Sequence, residues 1–212
     1  MSVIHGRDLR EHRAAGPLLG AVLILHGGRE QSHELVRPYR LAVVRMRLLA
    51  WSVRRRLTRE GMAVWTLRFT LRGWNGNEMS PVADARWALA EIASRADGPL
   101  PIVIVGHSMG GRTAMRVADA SDVNGVVGLA PWLPAGEPVD ALRGRALHIA
   151  HGSADRTTDP RLSAAFADRA RAVASVVGYE RVAGDGHALL RHPRQWSRIV
   201  VQASLQMLGT SG

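Results

Sequence analysis

Gly106-His107-Ser108-Met109-Gly110 is a G-x-S-x-G run set between the apolar stretch Pro101 to Val105 and the helix-compatible stretch Arg112 to Ala120. A serine on a sharp turn between a buried strand and a helix has its hydroxyl lifted above a sheet, and small residues on either side let the chain turn without a Cβ clash. By itself the pattern is weak. With 22 Gly in 212 residues, random order of the same composition produces it in about one chain in seven. Its weight comes from its neighbours.

Read outward from the run, the chain alternates apolar strands with helices. Gly20 to Leu25 is a continuous apolar stretch, a short strand buried on both faces. Pro38 to Glu60 reads as a long helix ended by Gly61. Ala63 to Phe69 (strand), Asp84 to Ala96 (helix), Ile102 to Val105 (strand), Met109 to Ala120 (helix) and Val123 to Ala130 (strand) follow. Ala146 to Ala150, Arg161 to Val173 and Ser175 to Val182 read as strand, helix, strand, and Trp196 to Leu208 closes the chain as a helix. This alternation predicts an α/β protein whose mostly parallel sheet is covered by helices on both faces. At this length one domain spanning residues 1–212 is expected.

Composition narrows the chemistry. All 28 basic residues are arginine, so the net charge of +10 comes without a single lysine, and Schiff-base, P-loop or lysine-base chemistry is excluded. Cysteine is absent as well, which removes thiolate and disulfide chemistry. No run reaches the roughly 18 to 20 apolar residues of a membrane span. Met1 to Arg13 has no apolar stretch suited to a signal peptide, so a cytoplasmic location is expected. No aromatic-rich basic repeat points to nucleic acid, and nothing in the sequence specifies an oligomeric state.

In an open parallel sheet, ligand sites gather beyond the carboxyl ends of the strands. A serine there needs a base and a group to orient that base. Among nine histidines, His148, His151, His187 and His192 lie beyond Ser108 near late strands, and His187 is the preferred base because Gly184-Asp185-Gly186 lets its loop bend back over the sheet. His192, before Pro193, is read as opening the last helix. Asp155 follows the strand ending at Ala150 and is the preferred acid. Asp159, its nearest rival, precedes Pro160 and is explained as a helix cap. For a developing oxyanion, the Met109 amide at a helix start supplies one donor, and His26-Gly27-Gly28-Arg29 a second, from Gly28 or less favourably Arg29. His26 is read as a structural residue beneath that loop.

With these pieces together, the chain resembles the α/β-hydrolase family over about Gly20 to Leu208. The resemblance rests on the His-Gly-Gly loop, an Arg72-Gly73-Trp74-Asn75-Gly76 segment, the Ser108 run, and the order of acid and histidine. It implies a triad of Ser108, Asp155 and His187 with Gly28 and Met109 at the oxyanion. Its closest types are cap-less serine esterases and dienelactone-hydrolase-like members. Only about fifteen residues separate Ala130 from Ala146, a loop where many members insert a lid. A minimal fold without a cap domain is therefore expected, with an open cleft lined by Arg29, Trp74, Trp132 and Leu133. Few residues precede the first confident strand, so the family's N-terminal antiparallel strands are poorly represented.

The reading is a serine hydrolase acting on a small-molecule ester or thioester with no metal or organic cofactor. Lactone or amide substrates, and acyl transfer to an acceptor other than water, stay open. The alternative is a non-catalytic binding protein that uses the same cleft for a ligand or partner. The helix from Pro38 to Glu60 is a separate matter. Val43, Met46, Ala50, Val53 and Leu57 form its core-facing stripe, and arginines cover most of the rest. That basic face reads either as a docking face for an anionic substrate, membrane surface or partner, or as a solvated surface with Trp51 packed under arginine stems. The second is favoured on sequence.

Overall fold

A computed structural model describes residues 6–13, 16–96 and 98–209, so the first five residues of the N-terminal stretch lie outside it. Among the described residues, seven strands form one sheet in the order β1-β3-β2-β4-β5-β6-β7. They are β1 (Asp8–His12), β2 (Gly20–Leu25), β3 (Met62–Arg68), β4 (Ile102–His107), β5 (Val123–Leu129), β6 (Ala146–Gly152) and β7 (Val176–Val182). The helices are α1 (Leu41–Arg59), α2 (Ser80–Ser94), α3 (Met109–Arg116), α4 (Pro160–Ala170) and α5 (Pro193–Met207). Every strand pair is parallel except β1 with β3.

The continuous apolar strands are continuous because both sheet faces are covered. Successive side chains of a strand point to opposite faces. In β2, Ala21, Leu23 and Leu25 join the core shared with α2, α3 and α4, while Val22 and Ile24 join the one shared with α1 and α5. β4 divides likewise, Ile102 and Ile104 to the first core and Val103 and Val105 to the second. All these side chains are inaccessible to solvent, and each contributes about 1.5–3 kcal/mol for a Val, Leu or Ile fully buried. The predicted stripe of α1 packs inward as expected, joined by Leu49.

Several boundaries differ from the sequence reading: α1 starts at Leu41 rather than Pro38, α3 ends at Arg116 rather than Ala120, and α4 ends at Ala170 rather than Val173. β1 exists, although Asp-Leu-Arg-Glu-His carries one apolar residue and no periodic signal; its register against β3, Asp8 opposite Arg68 through His12 opposite Val64, comes from the partner strand. Helix α2 starts at Ser80, ahead of Asp84, with Pro81 in its first turn. Asp84 is not a cap: its buried carboxylate accepts from the Thr70 N–H at 2.6 Å and the Thr70 hydroxyl at 3.1 Å. Helix α5 begins at Pro193 directly after His192, as the sequence suggested for that histidine, and so three residues before Trp196. Between β5 and β6 the only regular element is a short 3-10 turn, Asp140–Leu142, and no cap domain is present. No described helix is long and apolar enough to cross a membrane.

Candidate active site

β4 delivers Ser108 to the carboxyl edge of the sheet, and α3 starts one residue later. The turn between them is strained, with Ser108 at φ 56° and ψ −120°. Such a conformation costs on the order of 1–3 kcal/mol and persists only where its surroundings over-determine it. The glycines make it possible by close approach, since a Cβ on Gly106 would lie 2.2 Å from the Gly110 carbonyl oxygen. The Ser108 N–H donates to the Leu129 carbonyl at 3.1 Å, and the Ser108 carbonyl accepts from Gly111, Arg112 and Trp132. The hydroxyl is thereby aimed by backbone on both sides.

The loops after β6 and β7 converge on that hydroxyl. Ser108 Oγ lies 3.0 Å from His187 Nε2, and His187 Nδ1 lies 2.8 Å from Asp155 Oδ2. A carboxylate only accepts, so Nδ1 carries the proton and Nε2 is left to accept from the Ser108 hydroxyl. The Asp155 carboxylate is closed off from solvent while His187 is partly accessible.

Asp155 has more partners than the sequence suggested. Its Oδ2 also accepts from His151 Nε2 at 3.1 Å and from the Thr158 hydroxyl at 2.9 Å, and its Oδ1 accepts from the Thr157 and Thr158 amides at 2.7 and 3.0 Å. Burial by itself raises this carboxyl's pKa. The hydrogen bonds from His151, His187, Thr158 and Thr157 outweigh it and hold the group well below the usual carboxylate range. His151, on the sequence shortlist as a base, is completely buried, with its Nδ1 on the Ser163 hydroxyl at 2.9 Å. It makes no described bond to Ser108.

Two further residues hold the histidine loop. His107 Nε2 donates to the His187 carbonyl at 2.8 Å, with the two rings 4.8 Å apart. Burial, then the neighbouring His187, lowers the His107 pKa to about 3, so it stays neutral. Asp185, two residues before His187, is buried and accepts from Trp196 Nε1 at 2.7 Å, the Gly186 N–H at 2.8 Å and the His192 N–H at 3.1 Å. It ties the loop to α5. The usable signal was position, since Asp155 to Thr158 and Asp185 lie in strand-to-helix connections and Trp196 in the first turn of the helix that follows; the partners themselves were not legible. Asp159 caps α4, accepting from the Arg161 N–H, as expected.

The Gly28 and Met109 amides have no described acceptor, and Gly28 is exposed. The two loops adjoin, because a Cβ on Gly28 would lie 2.6 Å from the Met109 side-chain sulfur and one on Gly27 would lie 3.2 Å from the Ser108 Cβ. The Arg29 amide is spent on the Arg72 carbonyl at 2.9 Å, which removes it as an oxyanion donor. His26 is structural: buried, bonded from Nδ1 to the Gly27 carbonyl at 2.6 Å, and accepting at Nε2 from the Phe69 N–H at 3.1 Å.

The expected cleft wall is corrected in part. Arg29 is exposed and Trp132 partly so, but Trp74 and Leu133 are only 3% and 2% exposed and belong to the core. Trp74 is covered by Arg112, whose guanidinium lies over the Trp74 ring at 4.0 Å and the Trp132 ring at 4.6 Å, while Leu133 packs into the apolar core. Its charge is met by the buried Glu137 carboxylate at 2.7 Å, which also pairs with Arg116. Glu137 thus anchors the loop that carries Trp132. Among the described residues, no three His, Cys, Asp or Glu side chains are grouped to hold a metal ion.

Solved structures share the architecture. An alpha-beta serine hydrolase homologue from Coxiella burnetii is 18% identical, with a TM-score of 0.70 over 92% of this chain and 90% of that one. Est1E from Butyrivibrio proteoclasticus with ferulic acid bound is 16% identical, with a TM-score of 0.69 over 96% of each chain. A monoacylglycerol lipase from Paleococcus ferrophilus is 16% identical, with a TM-score of 0.62 over 96% of this chain and 100% of that one. No curated protein matches the sequence. The sequence profile of the alpha/beta hydrolase family matches residues 22–198, and on that match the chain belongs to the alpha/beta hydrolase family.

Proposed function

We propose that this protein is a serine hydrolase that cleaves a carboxylic ester or thioester through an acyl-enzyme intermediate. The observation that carries the reading is the continuous relay from Ser108 Oγ to His187 Nε2 at 3.0 Å and from His187 Nδ1 to Asp155 Oδ2 at 2.8 Å, on a strained turn with free amides beside it. An esterase and a lipase among the structural relatives agree with it.

Ser108 Oγ attacks the substrate carbonyl carbon as its proton passes to His187 Nε2. The negative charge on the carbonyl oxygen is received by the Gly28 and Met109 amides, the latter at the positive end of α3. Each such donor is worth about 3 to 4 kcal/mol of transition-state stabilisation. Asp155 keeps its negative charge and stabilises the imidazolium. His187 then protonates the leaving alkoxide or thiolate, and water, deprotonated by the same nitrogen, releases the acid and restores Ser108. With no cap over the cleft, a preference for short or exposed acyl groups follows, with Arg29 and Trp132 at the rim.

The test is labelling by a fluorophosphonate probe, which needs an activated serine. Wild type is expected to label and Ser108→Ala to stay unlabelled. A folded, unreactive wild type overturns the proposal in favour of a binding protein.

A further inference from the structure

The outer face of α1 leaves large apolar side chains in water. Leu41, Leu48 and Trp51 are 79%, 63% and 64% exposed, and their spacing of seven and three puts them on one face of the helix. Leu190, three residues past His187, is 70% exposed and stands at a groove of about 380 Å³ between α1 and α5, which Leu49, Leu189 and Trp196 also line. The inner stripe of α1 is already packed, so folding does not call for this second one. Arginine cover leaves most of Trp51 bare: the Arg54 guanidinium carbon stands over its ring at 6.0 Å from the centroid, yet the residue stays largely exposed.

The charge around this stripe has one sign. Helix α1 holds six arginines and no acidic residue. Arg47 and Arg56 reach Asp8 and Glu60, but among the described residues Arg45, Arg55 and Arg59 have no acidic partner, and neither does Arg194 on the other bank of the groove. Arg45 is half-buried, and burial lowers its pKa, so an anion brought to it offsets a desolvation that no acidic group among the described residues compensates. A second copy of the chain is the wrong occupant, because it would set two such arginine faces against each other at a net charge of +10 per chain. Apolar anchors with unpaired arginines beside them match a lipid surface, where chains lie beneath anionic headgroups.

We infer that this face docks the protein on an anionic lipid membrane, with α1 lying in the interface plane, Leu41, Leu48, Trp51 and Leu190 entering the acyl boundary, and Arg45, Arg55 and Arg194 meeting the headgroups. Leu190 belongs to the His187 loop, so docking brings the candidate active site to the membrane edge. The inference stands independently of the proposed chemistry.

Flotation of the full chain, carrying Ser108→Ala so that no lipid is consumed, tests it. Vesicles of phosphatidylglycerol with phosphatidylcholine are expected to carry the protein up, and pure phosphatidylcholine vesicles to leave it behind. Salt should weaken the binding. Leu48→Asp and Trp51→Asp, both at exposed positions and checked for folding by circular dichroism, should abolish it, and Arg45→Gln with Arg194→Gln should lower the partition coefficient by about fivefold per arginine. Absence of flotation with phosphatidylglycerol overturns the inference. So does flotation that Leu48→Asp and Trp51→Asp leave intact, or capture by an acidic protein with no affinity for either vesicle.

Discussion

Asp155→Asn is the sharpest perturbation of the proposed relay, because the structure dictates how the new amide sits. Oδ1 of Asp155 accepts from two backbone donors, Thr157 N–H at 2.7 Å and Thr158 N–H at 3.0 Å. In the variant the amide oxygen must take that place, since an NH2 group there would face two donors with nothing to offer them. The NH2 group is then directed at the partners of the former Oδ2, His187 Nδ1, His151 Nε2 and the Thr158 hydroxyl, which can turn its proton away and accept instead. His151 adapts at little cost, because its other nitrogen faces the Ser163 hydroxyl, which can donate or accept. His187 cannot adapt harmlessly. With an NH2 donor at Nδ1, its proton moves to Nε2, and Nε2 can no longer accept from the Ser108 hydroxyl. Loss of the correct tautomer in such a relay costs about 10⁴ in kcat, or about 5.5 kcal/mol of barrier. Hydrolysis of a short-chain p-nitrophenyl ester, followed with KM and kcat separated, is the assay; KM should change little. Turnover within tenfold of wild type, in a variant whose circular dichroism spectrum is unchanged, refutes the orientation argument and with it the role of Asp155.

Three other outcomes follow from the geometry. Glu137→Ala strands the nearly buried Arg112 without its counter-ion, and a loss of about 3–5 kcal/mol in urea unfolding is expected; a loss under 1 kcal/mol would mean that the Trp74 and Trp132 rings alone hold the guanidinium, about the scale of a cation–π contact. His26 and His107 are buried and neutral, with pKa lowered to about 4 and about 3, so the unfolded chain binds protons that the folded chain refuses as pH falls below the ordinary histidine value. Stability should therefore be full near neutrality and fall by about 5 kcal/mol on going to about pH 4.5; a flat profile by denaturant titration would contradict the burial of these rings. Gly106→Ala drives a Cβ into the Gly110 carbonyl, so loss of ester hydrolysis is expected even where soluble folded protein is recovered, and retained activity would disprove the tight turn.

The strands and the core were legible in the sequence because a sheet covered on both faces demands mostly apolar strands, and β2 and the Ile102–Val105 part of β4 are uninterrupted apolar runs. β1 was not legible, since an edge strand is ordered by its neighbour and Asp8–His12 has no periodicity of its own. Ser108, Asp155 and His187 were legible as a set because each follows a strand at the same edge of the sheet, and chain order constrains their roles. Trp74 and Leu133 misled for a different reason. An aromatic or aliphatic residue in a loop beside a cleft carries no mark of which way it points; Arg112, held by Glu137, covers Trp74, and the apolar core takes Leu133.

By itself, then, the sequence determined the alternation of strands and helices, the turn at Ser108, and the absence of lysine and cysteine chemistry, since all three depend on residue type and local order alone. Tertiary structure decided what depends on residues far apart in the chain meeting in space. It set His151 and Thr158 against the Asp155 carboxylate and His107 against the backbone of His187. It also closed Trp74 over Arg112 and left Trp51 uncovered. Hydrogen bonding and burial act over a few ångströms of space, and no count of intervening residues encodes that distance.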